Sequence, residues 1–232
     1  DLSPLALVEG LRRLDMRGLE QRNLAPVAAL TQLEELEATG NPLEDIAPVT
    51  TLPLTRLSVN VALQTDLTRF GGITTLRSLH LYGRSGPVRS SPASDLTPLA
   101  SLVDLEELSI NYTRTADLAP LAGLARLHHL DVDNTLVTDL TPISGLRLNH
   151  LQFGHTAVAS LEPLRGMPLT TLWFGNTRVT DISPVSTLDA LTNLSAEHNR
   201  ITRLDALAGL GLEWVNFDFN PVADAGVFRE MR

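Results

Sequence analysis

Ten consecutive phrases of this chain follow one pattern, Asp-Leu-x-Pro-Leu-x-x-Leu-x-x-Leu-x-x-Leu-x-Val-x-x-Asn/Thr, and Asp117 to Thr138 spells it as DLAPLAGLARLHHLDVDNTLVT. The phrases begin at Asp1, Asn23, Asp45, Asp66, Asp95, Asp117, Asp139, Ser160, Asp181 and Arg203, with an eleventh cut short after Asp224. Their spacings are 22, 22, 21, 29, 22, 22, 21, 21, 22 and 21 residues. A unit that short cannot bury its apolar face alone; it must be covered by the next copy, so such a period predicts a solenoid. Residues 1–232 are therefore read as a single elongated domain, with leucine spread evenly along it.

Counting the Asp as position 1, apolar residues recur at positions 2, 5, 8, 11, 14 and 16. Position 11 is Leu throughout: Leu11, Leu33, Leu54, Leu76, Leu105, Leu127, Leu148, Leu169, Leu191 and Leu212. Positions 14 and 16 alternate with polar residues at 13, 15 and 17, the period of a short strand with one face buried. Each phrase thus predicts one strand of a parallel sheet. Position 16 grows from Met16, Val59, Leu81, Ile110 and Val132 to Phe153, Phe174 and Phe217, so the interior should widen toward the C-terminal half, around the smaller Ala38 and Ala196.

The first half of the phrase carries Pro at position 4 in most repeats, for example Pro26, Pro98 and Pro142. Its fixed torsion suits the start of a helical turn, where a missing N–H costs nothing. A Ser or Thr just before it is expected to cap that turn. Position 19, where the chain leaves the strand, is Asn41, Asn199 and Asn220 but Thr113, Thr135, Thr156 and Thr177 elsewhere; both types bond to backbone at bends, Thr more weakly.

Composition narrows the chemistry. The formal charge of −9 opposes the phosphate neutralisation that nucleic-acid binding relies on. With no Cys, disulfides, thiolate metal sites and Cys nucleophiles are excluded. All 18 basic residues are Arg, which removes Schiff-base chemistry and the Lys-bearing phosphate loop. No segment approaches the roughly 18 apolar residues of a membrane span. The chain opens with neither a signal peptide nor an initiating Met, so its location is left open, with a cytoplasmic setting slightly favoured over a secreted or surface one.

The run LxxLxLxxN/T followed by xVTDLxPLxxL resembles the bacterial leucine-rich repeats of the internalin type, from Asp1 to Asp224. The resemblance implies an α/β solenoid: a leucine-rich repeat right-handed superhelix of about ten repeats, its parallel β-sheet on the concave face and short 3₁₀ or helical turns on the convex face. It also implies a protein-binding role. Two departures stand out. The Asn column is mostly Thr, and neither the helical N-terminal cap nor the immunoglobulin-like C-terminal module of internalins is found in the sequence. Since solenoids need polar end caps, the chain is expected to be part of a longer protein.

Positions 13, 15 and 17 should stack as columns on the concave face, and none of these thirty residues is aliphatic. A polar face by itself says only that the sheet meets water. The aromatics say more: both Trp of the chain, Trp173 and Trp214, fall in these columns with Tyr82, while Tyr112 and Phe219 stand one place beyond. Exposed Trp and Tyr are enriched at interface hot spots; the plainer reading is that they merely cover the sheet. The first strands alternate Arg13, Glu35 and Arg56, a pattern that suits a self-stabilising cross-strand ladder. The middle strands bring His80, His129, His150, Asp131 and Asp133 together, with His128 outside the columns. A metal would accept such ligands, but no close His-x-x-x-His or carboxylate motif fixes a geometry, and a pH-sensitive contact patch is preferred. Ser109 beside them invites a hydrolase reading that a flat, open sheet does not favour, since it offers no oxyanion hole.

The 29-residue phrase holds an insertion, Gly83 to Ser94, which leaves the strand beside Tyr82 and carries Arg84 and Arg89; it reads as a loop flanking the binding face or as a tolerated decoration. The favoured function is a protein-interaction module whose concave face, through His80, Tyr82, Tyr112, His129, Asp131, His150, Trp173, Trp214, Phe219, Arg84 and Arg89, grips another protein. No cofactor is expected. Two settings suit it: the sensor domain of a NACHT/STAND-type signalling ATPase, or an internalin-like surface adhesin. The competing readings are a metal-dependent hydrolase at the His/Asp patch and a purely structural spacer.

Overall fold

In the computed structural model, residues 2–8, 10–61, 66–83 and 93–223 are described. The insertion's Arg84 and Arg89 lie outside them. Ten strands form one parallel sheet in chain order: β1 (Arg13–Asp15), β2 (Glu35–Glu37), β3 (Arg56–Asn60), β4 (Ser78–Tyr82), β5 (Glu107–Ser109), β6 (His129–Asp131), β7 (His150–Gln152), β8 (Thr171–Trp173), β9 (Asn193–Ser195) and β10 (Trp214–Asn216). Each strand pairs with the next in unbroken register, so position 13 meets position 13 and 15 meets 15, as in His129 with His150 and Gln152 with Trp173. This is the leucine-rich repeat solenoid that the periodicity requires.

Most strands end at position 15, and only β3 and β4 run to position 17. The hydrogen bonds nevertheless continue beyond them: the N–H at position 18 donates to the carbonyl at position 17 of the following coil, as from Asn134 to Gly154 and from His155 to Gly175. Column 17 is therefore a real column, held by a ladder that bends as it leaves the strand.

The return half of each coil is a short 3₁₀ turn, such as Ala25–Ala29, Thr97–Ser101 or Ser183–Thr187, with Pro in its first two places. A four-residue α-helical turn, Thr68–Gly71, replaces it where Arg69 takes the proline position. The expected Ser/Thr cap is not what holds these turns. The side chain at position 1 does, two residues upstream of the N–H it accepts: Asp45 for Ala47, Asp95 for Thr97, Asp117 for Ala119 and Asp181 for Ser183, at 2.8 to 2.9 Å. An Asp carboxylate closes that two-residue ring directly, which a hydroxyl next to the proline is not placed to do. Hydrogen bonds from Thr68, Thr97 and Thr141, side chain first and then backbone, hold Asp66, Asp95 and Asp139 below the usual carboxylate range.

Inside the coil, the leucines of positions 2, 5, 8, 11 and 14 interlock from one repeat to the next, and Leu33, Leu76, Leu127 and Leu169 are wholly buried. Each such side chain withdrawn from water stabilises the fold by about 1.5 to 3 kcal/mol before ordering costs are subtracted. Phe153 and Phe174 fill the wider C-terminal interior as a stacked pair, ring centroids 5.5 Å apart. Leu11 and Leu212, in the first and last coils, are only partly covered, because each has a neighbouring coil on one side.

Position 19 works in two ways. Asn41 donates to the carbonyls of Met16 and Ala38 and accepts from the N–H of Gln21, so it ties two coils together. Asn199 does the same with Phe174, Ala196 and Thr177. Thr113 and Thr156 each donate to a carbonyl of their own coil, Ile110 and Phe153. No helix among the described residues is long and apolar enough to cross a membrane.

Candidate functional site

The sheet face is less uniformly wet than its composition suggests. Ser58, Ser78, Ser109, Ser195, Gly154 and Gly175 are buried there, because short side chains lie beneath longer neighbours on adjoining strands. That correction matters most for Ser109. Its hydroxyl donates to Asp131 Oδ2 at 3.4 Å, and Asn111 donates to the same oxygen at 2.5 Å, so Asp131 is anchored by its own column neighbours. Asn111 Oδ1 is the single buried side-chain polar atom without a partner among the described residues.

Around β4, Ser78 donates to Glu107 Oε2 at 2.8 Å and stands 3.3 Å from His80 Nε2, while Tyr82 Oη lies 3.4 Å from His80 Nδ1. Both His80 nitrogens are thus engaged. Burial, working against the attraction of Glu107, leaves the imidazole below the usual histidine range, and burial pushes the Tyr82 phenol up. This is a contact network in which the serine proton already goes to the glutamate.

From β6 onward the rings form a continuous strip. His129 and His150 stack with centroids 4.0 Å apart and planes 7° from parallel. His150 meets Trp173 edge-on at 5.7 Å, and Trp173 reaches Trp214 at 6.4 Å across β9, whose Asn193 and Ser195 are short enough to let them meet. Trp173 is 39% exposed and Trp214 46%, so the strip ends in two indoles that face solvent. Stacked and edge-to-face pairs hold such rings in place at about 0.5 to 1.5 kcal/mol each. Burial lowers the His129 pKa, and burial together with the charge of His129 lowers His150 to about 4. At neutral pH the strip is uncharged.

Tyr112 and Phe219 belong to a feature that the periodicity did not reveal. Position 18 takes a left-handed backbone at Gly18, Gly40, Tyr112, Asn134, His155, Asn176, His198 and Phe219, with φ between 54° and 74°. The two Gly and two Asn there were the readable signal, since those residues favour that region. His155 and His198 also belong to a type that tolerates it, whereas bulky Tyr112 and Phe219 stand in it against their preference. His198 and Phe219 stack at 4.1 Å along the rim, and Phe219 is 76% exposed.

The arrangement beside Trp173 was also unforeseen. Gly154 and Gly175 are consecutive in column 17 and leave a gap between Asp133 and Glu197. A cavity of about 110 Å³ opens there, with Asp133, Trp173, Ser195 and Glu197 among its walls and the two glycines as its floor. A Cβ on Gly154 would lie 3.2 Å from Asp133 Oδ1, and one on Gly175 would overlap the Glu197 carboxylate. Asp133 accepts the N–H of Gly154 at 2.5 Å. Burial, with the charge of Asp131 added, raises its pKa to about 7. Among the described residues, no three His, Asp or Glu side chains are placed to share a metal ion.

No family model and no curated protein matches this sequence. Solved structures do. The fold is similar to an internalin, InlF, from Listeria monocytogenes, at 25% identity over 95% of this chain and 71% of that one, TM-score 0.74. It is similar to internalin C2 of the same organism at 26% identity over 88% of this chain and 80% of that one, TM-score 0.63. A leucine-rich repeat protein of Leptospira interrogans shares the fold at 16% identity over 89% of this chain and 71% of that one, TM-score 0.57. Repeat period, sheet register and these likenesses agree: the chain is a bacterial, internalin-like leucine-rich repeat protein, built as a protein-interaction module.

Proposed function

We propose that the sheet face from β6 to β10 binds a protein ligand, with Trp173 and Trp214 as its anchors and His129, His150, Tyr112 and Phe219 beside them. The observation that carries this reading is the ring strip: four side chains on four strands, in ring contact one after the next, ending in two exposed indoles. The core does not need exposed indoles, and Trp supplies large contact area at low entropic cost on binding. His80, Tyr82 and Asp131 extend the face toward β4, where His80 and Tyr82 bond to each other and Asp131 accepts from Ser109 and Asn111. Arg84 and Arg89 would border it from the insertion.

Of the two settings, likeness to internalins supports a surface recognition protein over the sensor of a NACHT-type ATPase. The full open reading frame separates them: a signal peptide and wall anchor support the first, an upstream nucleotide-binding domain the second.

A photo-crosslinking residue placed at Thr171, on the sheet between His150 and Asn193, tests the face; one at Thr141, on a 3₁₀ turn, is its control. Thr171 should yield an adduct with one protein that Thr141 does not, and Trp173→Ala with Trp214→Ala should abolish it while circular dichroism stays unchanged. Equal adducts from both positions, or an adduct that survives the double change, would remove the reading.

A further inference from the structure

We propose that the cleft between Asp133 and Glu197 is the socket for an arginine side chain of the protein partner, with the guanidinium held between the two carboxylates and against the Trp173 indole. The proposal rests on the sheet face being the protein-binding surface, and it adds the chemistry of what the partner must present.

The cleft exists because two side chains are missing from it. Gly154 and Gly175 occupy neighbouring places in the ladder; the Glu197 carboxylate lies in the space that a Cβ on Gly175 would take, and Asp133 Oδ1 stands 3.2 Å from where a Cβ on Gly154 would be. Two carboxylates thus border one cavity of about 110 Å³, enough for several waters or one planar cation. Neither carboxylate is ion-paired to an arginine among the described residues. From β4 to β10 the face columns hold Glu107, Asp131, Asp133, Glu197 and Asp218 and not one Arg. Every arginine ion pair among the described residues goes elsewhere, on the first three strands or around the turns. Glu197 does accept the Ser195 hydroxyl at 2.5 Å, and Asp133 the Gly154 N–H, which fixes the direction of each carboxylate but supplies no positive charge.

What would fill the socket follows from its walls. With a carboxyl group on two sides, the walls favour an occupant that donates hydrogen bonds and carries positive charge. Trp173 forms a third side and is itself a rung of the ring strip, so the occupant also meets an indole. Guanidinium satisfies all three: its planar fork offers N–H donors to carboxylates on either side, and it stacks on indole better than a point-charge ammonium does. No group of three His, Asp or Glu side chains among the described residues is placed to hold a metal ion there, and a hydrated cation would leave the indole wall unused. Burial first, and then the charge of Asp131, raises the Asp133 pKa to about 7, and a cation in the cleft would favour the charged carboxylate and lower it. His155 also lines the cleft.

The test uses acetyl-Gly-Arg-Gly-amide as the probe and the same peptide with citrulline, its uncharged isostere, as the control. Binding is read from the indole N–H resonances, with Trp214→Phe assigning them. The arginine peptide should shift the Trp173 indole saturably, with a Kd on the order of 1 mM for a ligand of this size, and the citrulline peptide should not. Asp133→Asn and Glu197→Gln, which preserve shape, should each weaken binding about fivefold, the scale of one partly screened ion pair. Asp189→Asn, an exposed carboxylate on the other side of the coil, should change nothing. Equal binding of the two peptides, or equal effects of Asp189→Asn and the two cleft variants, would overturn the proposal. If the arginine peptide fails while the Thr171 crosslink still depends on both Trp, the socket is wrong and the protein-binding face stands. If the peptide binds as described but the crosslink fails, the face reading falls and a cation site remains.

Discussion

Strands β1 to β3 and strands β6 to β10 share a backbone, a register and a buried leucine pattern, yet they treat charge in opposite ways. On the first three strands Arg17 pairs with Asp15 at 2.7 Å and Arg56 with Glu35 at 3.1 Å, while Arg12 reaches Glu34 beside them at 2.7 Å. The expected ladder is shorter than its sequence pattern, because Glu35 turns to Arg56 and Arg13 makes no ion pair among the described residues. On the last five strands no arginine stands in the columns, carboxylates border a cleft, and aromatic rings touch in series. Since both ends fold alike, the fold does not require the difference. One end neutralises itself, and the other is left unneutralised, as a surface that meets another molecule would be.

The comparison holds only if the scaffold beneath is the same. Leu33 and Leu127 occupy the same position under the two regions and both are wholly buried. Leu33→Ala and Leu127→Ala should each cost about 2 to 5 kcal/mol in urea unfolding, through the cavity each leaves. A value near zero at either site would mean that the two interiors are not equivalent.

Next in size is the way coils are tied. Asn41→Ala strips partners from the Met16 and Ala38 carbonyls and the Gln21 N–H, and should cost about 2 to 4 kcal/mol. Thr156→Val loses one local bond, to Phe153, and should cost about 1 kcal/mol. Equal costs would show that the Asn bridge between coils adds nothing over the local Thr bond.

These positions also show what could be read before the fold was seen. Columns 13 and 15 were legible because a period of two assigns faces without any tertiary knowledge, and Leu at position 11 fixed the register. The turn cap was misplaced onto Ser and Thr although the Asp column was in view, because the reading followed the hydroxyl beside the proline rather than the two-residue spacing an Asp side chain closes. The ring strip was half legible: His129 beside His150 follows from the columns, but Trp173 touching Trp214 depends on Asn193 and Ser195 being short between them. The Asp133–Glu197 cleft is not legible in the sequence, since its defining feature is the space beside Gly154 and Gly175, which a column of residue types does not display.

A smaller effect tests the self-neutralising end. A double-mutant cycle on Glu35→Gln and Arg56→Gln should return a coupling of about 0.2 to 1 kcal/mol, falling as salt is raised. A coupling indistinguishable from zero at low salt would mean that these strands meet their charges no better than the acidic end does.

The finest distinction is one of slope with pH, and it lies wholly within the C-terminal region. His150 has its folded pKa lowered to about 4 from 6.5, so between those values the unfolded chain binds more protons and stability rises with pH. Asp133 has its folded pKa raised to about 7 from 3.8, so over nearly the same window the folded chain binds more protons and stability falls with pH. The two slopes oppose each other in the native protein. Urea midpoints of Asp133→Asn, taken relative to the parent chain, should therefore climb from pH 4 to pH 7, while those of His150→Asn should decline from pH 4 to pH 6.5. Parallel profiles would mean that burial on this face perturbs neither group, and the contrast with the exposed ion pairs of β1 to β3 would then rest on geometry alone.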